Sequence, residues 1–239
     1  KVGHSMGAMY GYIYEGTYKL DDFNKSGNSY TLKSNVPYYT SEANTQPGMP
    51  KYRDLNGDGV INTNDCTFIG NGLPTHTGGF TNNFNYRDFD FSFFFQWSYG
   101  NDVLNANRLM FESSWNRTRE LNQFASYADR WTIDNPTSNI PRATSSSSNR
   151  VFSSRIIEDG SFLRLKTLTL GYTVPRKAIS RVGIDQLRIY FAAQNLFTIS
   201  NYSGYDPEVS IRESALTPGL DFSAYPRARS FSFGINLGF

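Results

Sequence analysis

The segment FDFSFFFQWSYG, Phe89 to Gly100, constrains the fold more than any other stretch of the 239-residue chain. Phe89, Phe91, Phe93, Phe95, Trp97 and Tyr99 recur at every second position, and Asp90, Ser92, Gln96 and Ser98 fall between them, with Phe94 the exception. A period of two is that of a β-strand, whose successive side chains point to opposite sides of a sheet. So many aromatic rings on one strand face cannot be left against water, so they need a core, a partner sheet or lipid. The run RSFSFGINLGF repeats the pattern. Phe231, Phe233, Ile235, Leu237 and Phe239 alternate with Ser230, Ser232, Gly234, Asn236 and Gly238. A sandwich strand carries charge on its watered side, whereas the second face here is small and uncharged.

Other segments carry the same period. Phe80, Phe84 and Tyr86 oppose Asn83, Asn85 and Arg87, and Arg87-Asp88 is placed for a tight turn into Phe89. Leu187, Ile189, Phe191 and Ala193 oppose Arg188, Tyr190, Ala192 and Gln194. In FLRLKTLTLGYT the parity switches: Leu163 and Leu165 share one phase, Leu168, Leu170 and Tyr172 the other. A switch near Thr167 predicts a β-bulge, or a strand whose faces change environment. Residues 8–18 read as one further strand. The segments 19–50, 101–150 and 201–224 lack periodicity and are rich in Asn, Ser, Gly and Pro, so they read as long loops. The first reads as an irregular surface excursion, and the second has room for one or two short helices before its serine-rich end.

Composition removes several function classes. Lys and Arg number 23 against 21 Asp and Glu, and there is no basic stripe with interleaved aromatics, so no nucleic-acid partner is expected. Cys66 is the only cysteine, which rules out an internal disulfide and suits a buried small side chain. His4 and His76 are the only histidines and sit in no ligand or base pattern, so no enzyme site is expected. The start of the chain has no signal-peptide pattern, and no apolar stretch is long enough for a transmembrane helix. A transmembrane strand needs only about 9–11 residues with every second one apolar. On pattern alone, a transmembrane barrel and a soluble β-sandwich both remain open.

One loop stands apart. In YRDLNGDGVINTND, with Asp54 as position 1, Asn56 falls at 3, Asp58 at 5, Gly59 at 6, Val60 at 7, Asn62 at 9 and Asp65 at 12. This is the EF-hand spacing, in which oxygens wrap one Ca2+ and glycine makes the sharp turn. Two departures stand against it: position 12 is Asp rather than Glu, and no strong flanking helices are evident. The expectation is a structural calcium loop, with Val60 offering its carbonyl. The alternative is an Asx-rich turn with no ion.

Several blocks resemble, in order, the C-terminal part of SusC/RagA-family TonB-dependent outer-membrane transporters of Bacteroidota. They are GAMYGYIYEG (Gly7–Gly16), KYRDLNGDGVINTNDCTFIGN (Lys51–Asn71), FDFSFFFQWSYGNDVLN (Phe89–Asn105), EDGSFLRLKTLTLGYTVP (Glu158–Pro175), LRIYFAAQNLFTISNYSGYDPEV (Leu187–Val209) and YPRARSFSFGINLGF (Tyr225–Phe239). Trp97 stands where that family commonly has Gly. The resemblance implies an all-β chain supplying about eight C-terminal strands of a 22-stranded antiparallel transmembrane β-barrel, with long extracellular loops. It implies TonB-dependent import of glycans or peptides, a SusD-like surface lipoprotein as lid, outer-membrane lipid around the barrel, and Phe239 as the signal read by the outer-membrane assembly machinery. No plug domain and no TonB-contact segment is visible, so the chain is expected to be one part of something longer. In the long loops Trp115, Trp131, Tyr202 and Tyr205 are candidates for contact with cargo, or for packing loops together. Two alternatives stand beside this reading: a soluble secreted binding module with one calcium loop, and a porin-like or adhesin barrel without energy coupling.

Overall fold

The structure is a computed structural model that describes residues 3–113, 121–144, 151–208 and 217–239. The chain forms two compact units, one of Lys1–Leu73, Asp102–Glu158 and Ser210–Ala224, the other of Pro74–Asn101, Asp159–Val209 and Tyr225–Phe239.

The second unit is a five-stranded antiparallel sheet. Its strands are β1 (His76–Tyr86), β2 (Phe89–Tyr99), β3 (Phe162–Thr173), β4 (Gln186–Ser200) and β5 (Ser230–Gly238). Each pairs with its neighbour in chain order, which is a meander. Tyr86 lies opposite Phe89, leaving Arg87-Asp88 as the predicted two-residue turn, with Arg87 at φ 54°. Short connections, this turn and residues 174–185, join the strands at one end. Residues 100–161 and 201–229 join them at the other.

Directly opposed residues of an antiparallel pair point to the same face. Phe84, Phe91, Leu170, Phe191 and Phe233 therefore form one apolar row across all five strands. The adjoining row is Tyr86, Phe89, Tyr172, Ile189 and Ile235. The rings touch across the strands, with centroids 5.0 Å apart for Phe191 and Phe233 and 6.2 Å for Phe84 and Phe91. Such pairs stabilise a sheet by about 0.2–1 kcal/mol each.

The predicted parity switch in β3 is a bulge. Phe94 faces Thr167 and Phe95 faces Leu165, so Lys166 is left without an opposite number on β2. On β4 the pairing jumps from Gln194 to Phe197, and Asn195 adopts φ 50°. An extra residue restores the phase. Leu163 and Leu165 thus join Leu168, Leu170 and Tyr172 on the aromatic face, opposite Trp97, Phe95, Phe93, Phe91 and Phe89.

The other face is polar, and its close contacts depend on glycine. Asp90 on β2 and Arg188 on β4 form a two-pronged ion pair, 2.6 and 3.0 Å, that passes over β3. The residue beneath is Gly171, which lies opposite both Asp90 and Tyr190. A Cβ there would come within 2.2 Å of the Asp90 carboxylate and 2.5 Å of the Arg188 guanidinium. On the aromatic face Gly78 makes room in the same way for the Trp97 ring opposite it.

The first unit is made of short pieces. Ala8–Gly11 pairs with Thr67–Asn71, and Tyr14–Thr17 with Pro50–Tyr52. Residues 8–18 are thus two strands rather than the single one expected, because the backbone at Tyr12 turns to bridge Ser153. The segment 19–50 is more ordered than its sequence suggests. Phe23–Ser26 and Ser29–Leu32 form a hairpin, and Phe23 and Leu32 bury against Tyr18. Four-residue strands are too short for a period of two to stand out. The helix in the second long loop is Ala106–Phe111. Among the described residues the long strands number the five of the sheet, not about eight, and β1 and β5 leave both its edges open.

The fold makes Gly171 the residue that admits the Arg188–Asp90 pair. Gly171→Val is expected to lower the thermal midpoint of the intact protein by several degrees. Gly238→Val, on the same sheet with no positive φ and nothing closer than 3.4 Å to a Cβ, controls for replacing a strand glycine alone. An equal loss from both would remove the crossing ion pair as the cause.

Candidate functional site

The apolar sheet face is a surface rather than a core. Phe84, Leu170, Ile189, Ile199, Phe231, Ile235 and Leu237 are all exposed, and Phe233 is 83% exposed. Leu165 and Ala193, on the same face, are buried. So continuous a run of exposed apolar side chains is more than a water-facing surface ordinarily carries. Phe239 follows β5 in the same phase and is exposed.

At the long-loop end, the polar face carries a buried charge cluster. Arg164 lies opposite Gln96 and Thr198, so it points to the polar side. It pairs with Asp206, and both are nearly inaccessible. Asp206 also accepts hydrogen bonds from the amides of Glu208, 2.9 Å, and Arg227, 3.1 Å. Burial alone would raise the Asp206 pKa, but the Arg164 guanidinium and those two amides hold it below the usual carboxylate range. Glu208 lies 3.2 Å from Arg164, 3.2 Å from Lys166 and 3.1 Å from Arg227. The bulge residue Asn195 donates to the Ala228 carbonyl at 3.0 Å. One acid and one bulge thus hold the segment before β5 against the sheet. The sequence reading did not single out these residues. Arg164 and Lys166 were visible as charges between leucines, but their partners lie about forty residues away.

The acidic loop folds around its own amides. The Asp54 carboxylate accepts from the Gly57 and Gly59 N–H groups at 2.7 and 2.8 Å. Asn56 accepts from the Asp58 amide, Asp58 from Val60, and Asn62 from Asn64, all at 2.8–2.9 Å. The Val60 carbonyl accepts from the Asn62 side chain at 2.9 Å. Asp65, fully buried, accepts from the amides of Leu55, Asn56 and Asn62. Burial opposes ionisation of Asp65, yet these amides outweigh it and its pKa is lowered. Gly57 and Gly59 take φ 76° and 82°, as such tight winding requires. The donors are hard oxygens, which suits calcium; the Asp54 oxygens accept one amide each, whereas Asp65 Oδ1 already accepts from both Leu55 and Asn56. Among the described residues, however, no three acids, histidines or cysteines converge as a ready metal cluster.

The aromatic candidates separate. Trp131 is 6% exposed and its ring lies against Gly48, where a Cβ would sit 2.4 Å away. Tyr202 is also buried, with its ring over Gly204. Trp131 thus packs one long loop against another, the second of the two roles expected of it, and Tyr202 is buried against its own loop. Tyr205 is 82% exposed. Trp115 lies outside the described residues.

Comparison with known proteins places these features in context. No protein-family model matches the chain. It is 34% identical, over its whole length, to TonB-dependent receptor P3 of Formosa agariphila, of which it covers 23%. It is 38% identical over 80% of its length to TonB-dependent receptor P26 of the same organism. It is 30% identical over 83% of its length to TonB-dependent receptor SusC of Bacteroides thetaiotaomicron, of which it covers 18%. Among solved structures, the RagAB peptide transporter matches with a TM-score of 0.70 at 23% identity, over 97% of this chain and 23% of that one. The chain thus spans about a fifth to a quarter of the length of the curated relatives it matches. These relatives are receptors and transporters rather than enzymes.

The lowered Asp65 pKa sets the sign of a pH effect. Its ionised form stabilises the loop at neutral pH, and that contribution is lost as pH falls through the folded-state value. Hydrogen exchange on the intact protein is expected to show the Leu55 and Asn62 amides protected at neutral pH and exposed in Asp65→Ala. Unchanged protection in that variant would remove Asp65 as the loop's anchor.

Proposed function

From the premise that this chain belongs to the SusC/RagA family of TonB-dependent receptors, we propose that it supplies strands and surface loops to a transmembrane barrel importing glycans or peptides across the outer membrane. The observation that carries this reading is the exposed apolar face joined to a small polar face on one meander of 9- to 15-residue strands. Lipid solvates the first face and lumen water the second. Both open edges, β1 and β5, then pair with further strands of the same receptor, since an unpaired strand edge is not tolerated in lipid. The short connections lie on the periplasmic side and the long ones outside, as in outer-membrane barrels.

In this reading the whole receptor takes its energy from TonB through segments beyond this chain, and a SusD-like surface lipoprotein covers the loop end. The outer-membrane assembly machinery reads the strand ending at Phe239. Exposed Tyr205 is placed among the loops that meet cargo. The acidic loop holds a structural Ca2+ through Asp54, Asn56, Asp58, Asn62, Asp65 and the Val60 carbonyl.

Two measurements test these statements. In the full-length receptor, Phe191→Lys on the lipid face is expected to cost about 2–4 kcal/mol of folded barrel. Ser232→Lys on the lumen face is expected to be tolerated. Folded and unfolded forms are separated by heat-modifiable gel mobility, and equal sensitivity of the two faces would sink the membrane reading. Calcium is expected to raise the receptor's thermal midpoint, and Asp54→Ala is expected to abolish the rise. No rise in the unaltered receptor at millimolar calcium would return the loop to an ion-free Asx turn.

A further inference from the structure

We propose that the polar face at the long-loop end carries a subsite for a carboxylate group of the cargo. A cavity of about 320 Å3 lies there, within the second unit, lined by Arg164, Asn195, Tyr205, Arg227 and Arg229 among others. That volume is at the small end of ligand pockets, which run from about 300 to 1,000 Å3.

Among the described residues its lining carries three arginines, Arg164, Arg227 and Arg229, against the single acid Asp206. The cations Arg164, Lys166, Arg227 and Arg229 surround the carboxylates Asp206 and Glu208. Both acids are already engaged: Asp206 by Arg164 and two amides, Glu208 by Arg164, Lys166 and Arg227. Arg229 is exposed and makes no ion pair among the described residues. An excess of guanidinium groups around a cavity favours an oxyanion, and the planar fork of arginine fits a carboxylate through two parallel bonds.

The site is built rather than incidental. The Asn195 bulge holds Ala228, and Asp206 holds the Arg227 amide, so Arg227 and Arg229 are presented from a segment fixed at two points. Tyr205, immediately before Asp206, presents an exposed ring at the same cavity. The proposal rests on the import reading for its biological setting, since the polar face at the loop end is then the mouth of the lumen.

The test is binding to the purified full-length receptor, which does not depend on energised import. The probes are glucuronic acid against glucose, and a tripeptide with a free C-terminal carboxylate against the same tripeptide amidated. At least one acid is expected to bind about tenfold or more tightly than its neutral counterpart. Arg229→Gln is expected to remove that preference, and Arg229→Lys to restore part of it. The probe that shows the preference identifies the source of the carboxylate, sugar or peptide. Absence of any acid preference in the unaltered receptor, or a preference that survives Arg229→Gln, overturns the subsite. Import of neutral cargo in cells reports separately on the receptor function.

Discussion

An apolar sheet face with most of its large side chains exposed is the constraint on which the structure depends. The rows from β1 to β5 place Phe84, Phe91, Leu170, Phe191 and Phe233 side by side, and water does not tolerate so continuous a surface. That face can exist only against lipid or another apolar layer. Its integrity depends on phase: without the extra residues at Lys166 and Asn195, the leucines of β3 would divide between the two sides of the sheet. The bulges are therefore part of the surface and not irregularities in it.

The opposite face obeys a different rule. Charges there are held in pairs that reach across strands, Arg188 to Asp90 over Gly171 and Arg164 to Asp206 at the loop end. Gly171 on the intervening strand makes the first of these crossings sterically possible. The same economy of side chains explains why the polar alternates of β5 are Ser, Gly and Asn: Tyr190 lies over Gly234, which a larger residue would displace. At the loop end, among the described residues, arginines outnumber the acids they pair with, and the proposed carboxylate subsite rests on that surplus.

The first unit works on short range. Its hairpins of four-residue strands and its acidic loop are held by local bonds, and the loop's Asp and Asn side chains cap amides within a few residues of themselves. This is why the loop was legible as a motif while the presence of an ion in it was not. The spacing that wraps oxygens around calcium is also the spacing that lets those oxygens bond the loop's own N–H groups.

The sequence by itself determined the long strands, the Arg87-Asp88 turn, the two-faced character of the sheet and the parity switch near Thr167, which the register then resolved as a bulge. Each is written as a local period of two or as a break in one. Family membership was equally legible, because it lies in ordered blocks of residues. Only the tertiary structure decided that Trp131 and Tyr202 are buried and Tyr205 is not, since exposure of a loop aromatic depends on which loop lies over it. It also decided that Arg164 meets Asp206, and that Asn195 turns a bulge into a tether for Ala228. Those contacts join residues that are distant in the chain, and no local pattern records which partner a buried charge finds.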